Sequence, residues 1–152
     1  MASGKSTSLA RFKLHTQFDL DRLIEQKFLL SPGKMIEKFG EDYFREREKS
    51  SLREHLENAP CRWVLALGGG ALYDETLAMI RSRPNIQLVF LNTPFEICCQ
   101  RATLQNGDRP LFHHSTEREL RQLYDKRMPF YLKADVVLNN DEDLEKFLVS
   151  QN

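Results

Sequence analysis

The sequence predicts an α/β domain built on a mostly parallel sheet, and three observations predict it. Short apolar segments alternate with longer helical ones along the chain. Each apolar segment is bounded by glycine, proline or asparagine and is too short to be a core helix. The third observation is Gly4-Lys5-Ser6-Thr7 followed by an amphipathic stretch, the local pattern of a glycine turn that opens a helix and presents its amides to an anion.

Taken in order, the strands are expected at Thr16 to Asp19, Trp63 to Leu67, Ile86 to Leu91 and Val136 to Leu138. Between them lie helices with readable starts. Asp21 can cap a helix over Arg22 to Lys27, and Ser31 with Pro32 opens a short one that stops at Gly40. Glu41 to Leu56 is a long charged helix whose Phe44, Leu52 and Leu56 recur at helical spacing. Thr93 precedes Pro94 at the start of another, and Thr116 with Glu119 forms a capping-box pattern for a helix to Tyr131. Asp141 to Val149 closes the chain. No repeat or linker divides it, so residues 1–152 read as one domain. The polar, turn-rich segment around 104–115 (QNGDRPLFHH) fits either a mobile lid over a ligand or an ordinary surface loop.

Lysine and arginine total 22, as do aspartate and glutamate, so net charge is zero. This balance gives no global attraction to nucleic acid or an acidic membrane, and any anion must be held by locally placed basic groups. Cys98 and Cys99 are adjacent and Cys61 has no CxxC partner, so reduced thiols are expected, with neither a disulfide framework nor zinc. The longest apolar stretches fall far short of a bilayer span and the start carries no apolar signal region. The expectation is a cytoplasmic protein. Trp63 and the phenylalanines read as core, and His15, His55, His113 and His114 as surface.

Met1 to Thr7 matches the second half of the phosphate-binding pattern GxxxxGK[ST]. Gly4 lets the backbone approach the phosphates, Lys5 suits the β- and γ-phosphates, and the Ser6 hydroxyl suits magnesium. The pattern's first glycine would fall upstream of Met1, as would the strand that feeds such a loop. Either the natural chain begins earlier or this is a damaged version, and the first is favoured because the later motifs are intact. Eleven residues, Ser8 to Phe18, separate the loop from Asp19; as a helix they would cover about 16 Å, which is cramped for helix, turn and strand start.

Four further patterns follow: Asp19-Leu20-Asp21 after a strand, Phe44-Arg45-Glu46-Arg47-Glu48 on a helix, Gly68-Gly69-Gly70 after a strand, and Arg109-Pro110-Leu111 in the polar segment. A fifth, Arg127-Met128-Pro129-Phe130-Tyr131, ends a helix. Each has a plain alternative. The aspartates could be a turn with a helix cap, Arg45 and Arg47 members of an i,i+3 and i,i+4 charge network with Glu41 and Glu48, and Arg127 a charge favoured by a helix C-terminus. Three glycines after a strand point more to function, because they weaken the strand.

As an ordered set these patterns closely resemble the shikimate kinases, from Met1 to about Leu138. The resemblance implies a three-layer P-loop nucleotide kinase-like fold whose first central strand is missing from this chain. It implies ATP-dependent phosphorylation of the 3-hydroxyl of shikimate with Mg2+, on the route to aromatic amino acids, in a monomer without nucleic-acid or membrane partners. Gly4, Lys5, Ser6 and Thr7 would hold ATP. Asp21 would orient or deprotonate the hydroxyl, and Asp19 would act near magnesium through water. Arg45 and Arg127 would grip the substrate carboxylate, and Gly68, Gly69 and Gly70 would offer backbone amides to the ring hydroxyls. Arg109 would arrive with the lid to steady the phosphoryl group, and Arg101 would stack on adenine. Arg47 stays a surface residue. The alternatives are another small P-loop metabolite kinase, such as a gluconate-type kinase, or a remnant that binds ligand without transferring phosphate.

Overall fold

The computed structural model describes residues 3–104 and 116–151. The chain divides into two compact units: residues 6–84, and residues 85–152 together with 1–5. A short helix α1, Lys5–Leu9, follows the phosphate-loop residues.

In the unit of residues 6–84, β1 (Thr16–Asp19) pairs in parallel with β2 (Trp63–Ala66), with Asp19 level with Ala66. Parallel pairing needs a crossover, supplied by α2 (Leu20–Phe28), α3 (Pro32–Phe39) and α4 (Glu41–Asn58). Leu20 and Ile24 of α2, Met35 of α3 and Leu52 of α4 are almost fully buried. The register brings the ends of β1 and β2 to the same level, so Asp19–Asp21 and Gly68–Gly70 leave the sheet together. Ligand sites of open parallel sheets sit at this carboxyl edge. A helix that the sequence reading did not name, α5 (Asp74–Arg81), follows the glycines and buries Leu77 and Ile80.

In the other unit, β3 (Val89–Leu91) pairs in parallel with β4 (Val136–Leu138). The helices are α6 (Phe95–Leu104), α7 (Glu117–Tyr131) and α8 (Asp141–Ser150). Phe95, Cys98, Leu120, Leu138 and Leu144 are buried. Thr116 and Glu119 make the expected capping box, and Asn140 caps α8.

Two local expectations are corrected. The cap of α2 is Asp19, not Asp21: its carboxylate accepts from the Asp21 and Arg22 amides at 3.0 and 3.4 Å. The helix starts earlier than expected because Leu20 must be helical to reach the core. The third strand is shorter than Ile86 to Leu91, because the Leu88 amide donates to the Asp135 side chain at 2.7 Å rather than to a neighbouring strand. No helix among the described residues is long and apolar enough to cross a membrane.

Candidate active site

The carboxyl edge of β1 and β2 gathers several of the predicted residues. Helix α4 carries Arg45 and Glu48 one turn apart. The Arg45 Nη1 donates to Glu48 Oε2 at 2.6 Å, while Nε and Nη2 both donate to Glu41 Oε1 at 3.3 and 3.0 Å. Among the described residues these bonds use three of the five N–H donors of a guanidinium, and the other two can serve an anion. Glu48 is only 2% exposed, so its charge is tolerable because Arg45 compensates it. Burial pulls against the Arg45 charge, but Glu48 and Glu41 more than offset it and hold the guanidinium's pKa above its ordinary value.

The glycine run closes over this pair. A Cβ on Gly70 would lie 2.8 Å from Arg45 Cζ and Nη1 and closer still to Nη2, so with any other residue here the guanidinium or the loop must shift. A Cβ on Gly68 would lie 2.9 Å from Glu48 Oε1 and 3.1 Å from Asp21 Oδ1. Asp21, Arg45, Glu48, Gly68 and Gly70 therefore occupy one small polar space: carboxylates on one side, a guanidinium on the other, backbone between. Such a space suits a ligand with hydroxyl groups and a carboxylate. The sequence reading placed Glu48 in the surface charge network. It does pair with Arg45 as that reading had it, but from a buried position. Its signal was the final Glu of the Arg45 motif, one turn on from the arginine.

The phosphate-loop residues belong to the other unit through Lys5. Gly4 has φ +87°, which an L side chain rarely adopts. The Ser3 carbonyl accepts from Thr93 Oγ1 at 3.0 Å and from Arg101 Nη1 at 3.3 Å, and Tyr124 Oη donates to the Thr93 carbonyl at 3.2 Å. Arg101, expected at adenine, thus spends one nitrogen on the loop itself. Arg127 lies on α7 and is half-buried, two residues before Pro129 inside the same helix. Arg109 and most of the predicted lid, 105–115, lie outside the described residues.

Two surface expectations hold only in part, because Arg47 and His55 are both half-buried. The Arg47 Nε is buried without a hydrogen-bond partner among the described residues, and its guanidinium carbon lies 4.7 Å from the Tyr43 ring centroid. His55 sits edge-on to Phe18 and Trp63, with centroids at 4.6 and 4.9 Å, and its Nε2 is likewise buried and unpartnered. Burial lowers the His55 pKa below its ordinary value.

Magnesium prefers hard oxygen donors and keeps several waters or phosphate oxygens in its shell. The two residues predicted for it fit that chemistry. Ser6 is exposed in α1, and the capping bonds of Asp19 use only Oδ1, leaving Oδ2 without a hydrogen bond among the described residues.

A protein-family model described as Shikimate kinase matches residues 1–151. The chain belongs to the shikimate kinase family. The shikimate kinase of Bacteroides thetaiotaomicron is 35% identical over 153 aligned residues, covering 93% of this chain and 83% of that protein. The crystal structure of shikimate kinase from the same organism superposes with a TM-score of 0.83 at 29% identity, covering 99% of this chain and 91% of the other. Shikimate kinase from Acinetobacter baumannii in complex with shikimate gives a TM-score of 0.86 at 29% identity, over 99% of this chain and 88% of that one. The fold is the α/β P-loop kinase fold of those enzymes.

Proposed function

We propose that this chain transfers the γ-phosphoryl group of ATP to the 3-hydroxyl of shikimate, acting as one functional domain, a monomer in the cytosol. The observation that carries the reading is the Arg45 guanidinium, fixed by Glu41 and Glu48 against Gly70 in the same small space as Asp21. The two remaining N–H donors of Arg45 match a carboxylate, and the RxPxY motif assigns Arg127 to the same group. Asp21 takes the proton of the attacking hydroxyl as its oxygen bonds to phosphorus and the bond to ADP breaks. Amides of Gly68, Gly69 and Gly70 hold the neighbouring hydroxyls.

Gly4, Lys5, Ser6 and Thr7 bind the phosphates of ATP, Arg101 the adenine end, and Arg109 the transferring group. Ser6 and Asp19 would hold magnesium, which would supply neutralisation of phosphate charge. Loose phosphoryl transfer asks the protein mainly for positioning and charge stabilisation, and that is what these residue types offer.

The test is ADP release with shikimate and with gluconate as acceptors. Turnover with shikimate and none with gluconate is expected. Activity on gluconate alone would sink the reading, and shikimate binding without turnover would favour a non-catalytic binder.

A further inference from the structure

The segment from the three glycines to the first turn of α5 meets α4 at three places. Gly68 lies against Glu48 and Gly70 against Arg45. The third place involves a residue with no part in the proposed chemistry: Lys49, adjacent to Glu48. Its Nζ bonds Glu46 Oε1 at 2.8 Å on its own helix and Glu75 Oε2 at 3.1 Å in the first turn of α5. The lysine side chain is 18% exposed, whereas Glu46 and Glu75 are 65% and 70% exposed. Lys49 is therefore the enclosed member of the bridge.

The path from Glu75 back to Gly70 is short and stiff. Ala71 and Leu72 are buried. The buried Thr76 hydroxyl donates to the Ala71 carbonyl at 2.7 Å and accepts from the Tyr73 amide at 3.0 Å. A shift of the first turn of α5 is thus passed to Gly70, and Gly70 has no room to move towards Arg45. We propose that Lys49 is a positioning residue for the acceptor site: through Glu75 it fixes the distance between the glycine loop and the helix that carries Arg45. The proposal rests on the reading of this site as the shikimate pocket.

A solvent-accessible ion pair contributes little to stability, so the signature of Lys49 is positional. Residues coupled through a shared backbone shift change affinity by roughly two- to a hundredfold, and partial loosening falls at the low end. Calorimetry with shikimate and with ATP, alongside thermal melting, on Lys49→Met, Lys49→Arg, Glu75→Gln and the double variant tests this. Lys49→Met should weaken shikimate binding about five-fold, leave ATP binding unchanged and move Tm by less than about 2 °C. Lys49→Arg should restore affinity, Glu75→Gln should copy Lys49→Met, and the double variant should lose no more than either single one. Unchanged shikimate affinity in Lys49→Met overturns the proposal, and so does a neutral Glu75→Gln. Joint loss of both ligands with a fall in Tm shows a structural role and overturns it equally. Failure of the unsubstituted protein to bind shikimate removes the functional reading itself, and is told apart because it occurs before any substitution.

Discussion

Gly70→Ala tests whether the close approach of loop and arginine is what makes the site. The added methyl would stand 2.8 Å from Arg45 Cζ and Nη1, whereas ordinary carbon contacts lie near about 3.5–4.0 Å. The guanidinium must therefore retreat by about 1 Å, or the loop must lift by as much. Retreat is obstructed, because Nη1 is held at 2.6 Å by a Glu48 that is itself buried. Lengthening that bond by about 1 Å removes a charge-assisted hydrogen bond worth about 1.5–3 kcal/mol. If the strain falls on the ligand-binding geometry, shikimate affinity drops by about 10- to 100-fold. If it falls on the fold, stability drops by about 1–3 kcal/mol, as for other overpacked sites. For a chain of this size that lowers Tm by about 2–4 °C per kcal/mol. Calorimetry with shikimate and with ATP, together with thermal melting, measures both. ATP affinity is expected to hold. A variant that binds shikimate as the unsubstituted protein does, at unchanged Tm, would refute the reasoning.

Arg45→Ala should abolish measurable shikimate binding while sparing ATP; equal loss of both ligands would indicate misfolding. The half-buried His55 has a folded pKa below its unfolded value of about 6.5, so the unfolded chain binds more protons between the two. Stability from this residue is present above about pH 6.5 and is lost as pH falls. His55→Phe, which keeps a ring between Phe18 and Trp63, should flatten the denaturant midpoint between about pH 5.5 and 7; an unaltered slope counts against it. Leu29 ends α2 at φ 56° and is 86% exposed. Leu29→Asn, a residue at ease in that region, should raise stability by about 0.5–1 kcal/mol in thermal melts, and a lower Tm would contradict the strain argument.

Much of the fold was legible because its signals are local. β1 and β4 fall where alternation and apolar runs placed them, and α3 runs between a serine–proline start and Gly40, as those residues indicate. What was not legible depends on distant partners. β3 loses its first residues because Asp135, far along the chain, takes the Leu88 amide. Helix α5 is short, and its apolar spacing rests on little more than Leu77 and Ile80 behind two acidic residues. His55 and Arg47 were read as surface because polarity was the only local cue. They are half-buried instead: His55 lies edge-on to Phe18 and Trp63, and the Arg47 guanidinium lies over the Tyr43 ring. At the site, the resemblance to the shikimate kinases named Asp21, Arg45 and the glycines. It could not show that Glu48 is buried, that Asp19 rather than Asp21 caps α2, or that Arg101 reaches back to the Ser3 carbonyl.

The division of the chain bears on how the proposed function can fail. Asp21, Arg45, Glu48 and the three glycines all lie within residues 6–84, a unit with its own buried core. The Ser3 carbonyl and Gly4 are tied instead to Thr93 and Arg101, in the unit of residues 85–152. The contacts that fix Gly70 against Arg45 are therefore distinct from those that hold the Ser3 carbonyl, although Arg127 on the acceptor side and Ser6 and Thr7 on the phosphate side each fall in the opposite unit. A substitution at Thr93 should disturb ATP before shikimate, and one at Gly70 the reverse. Variants at Gly70 and Thr93 should therefore separate the two affinities, because each touches a set of contacts that the other does not. A chain in which every site variant lost both ligands together would have to be organised on some other principle.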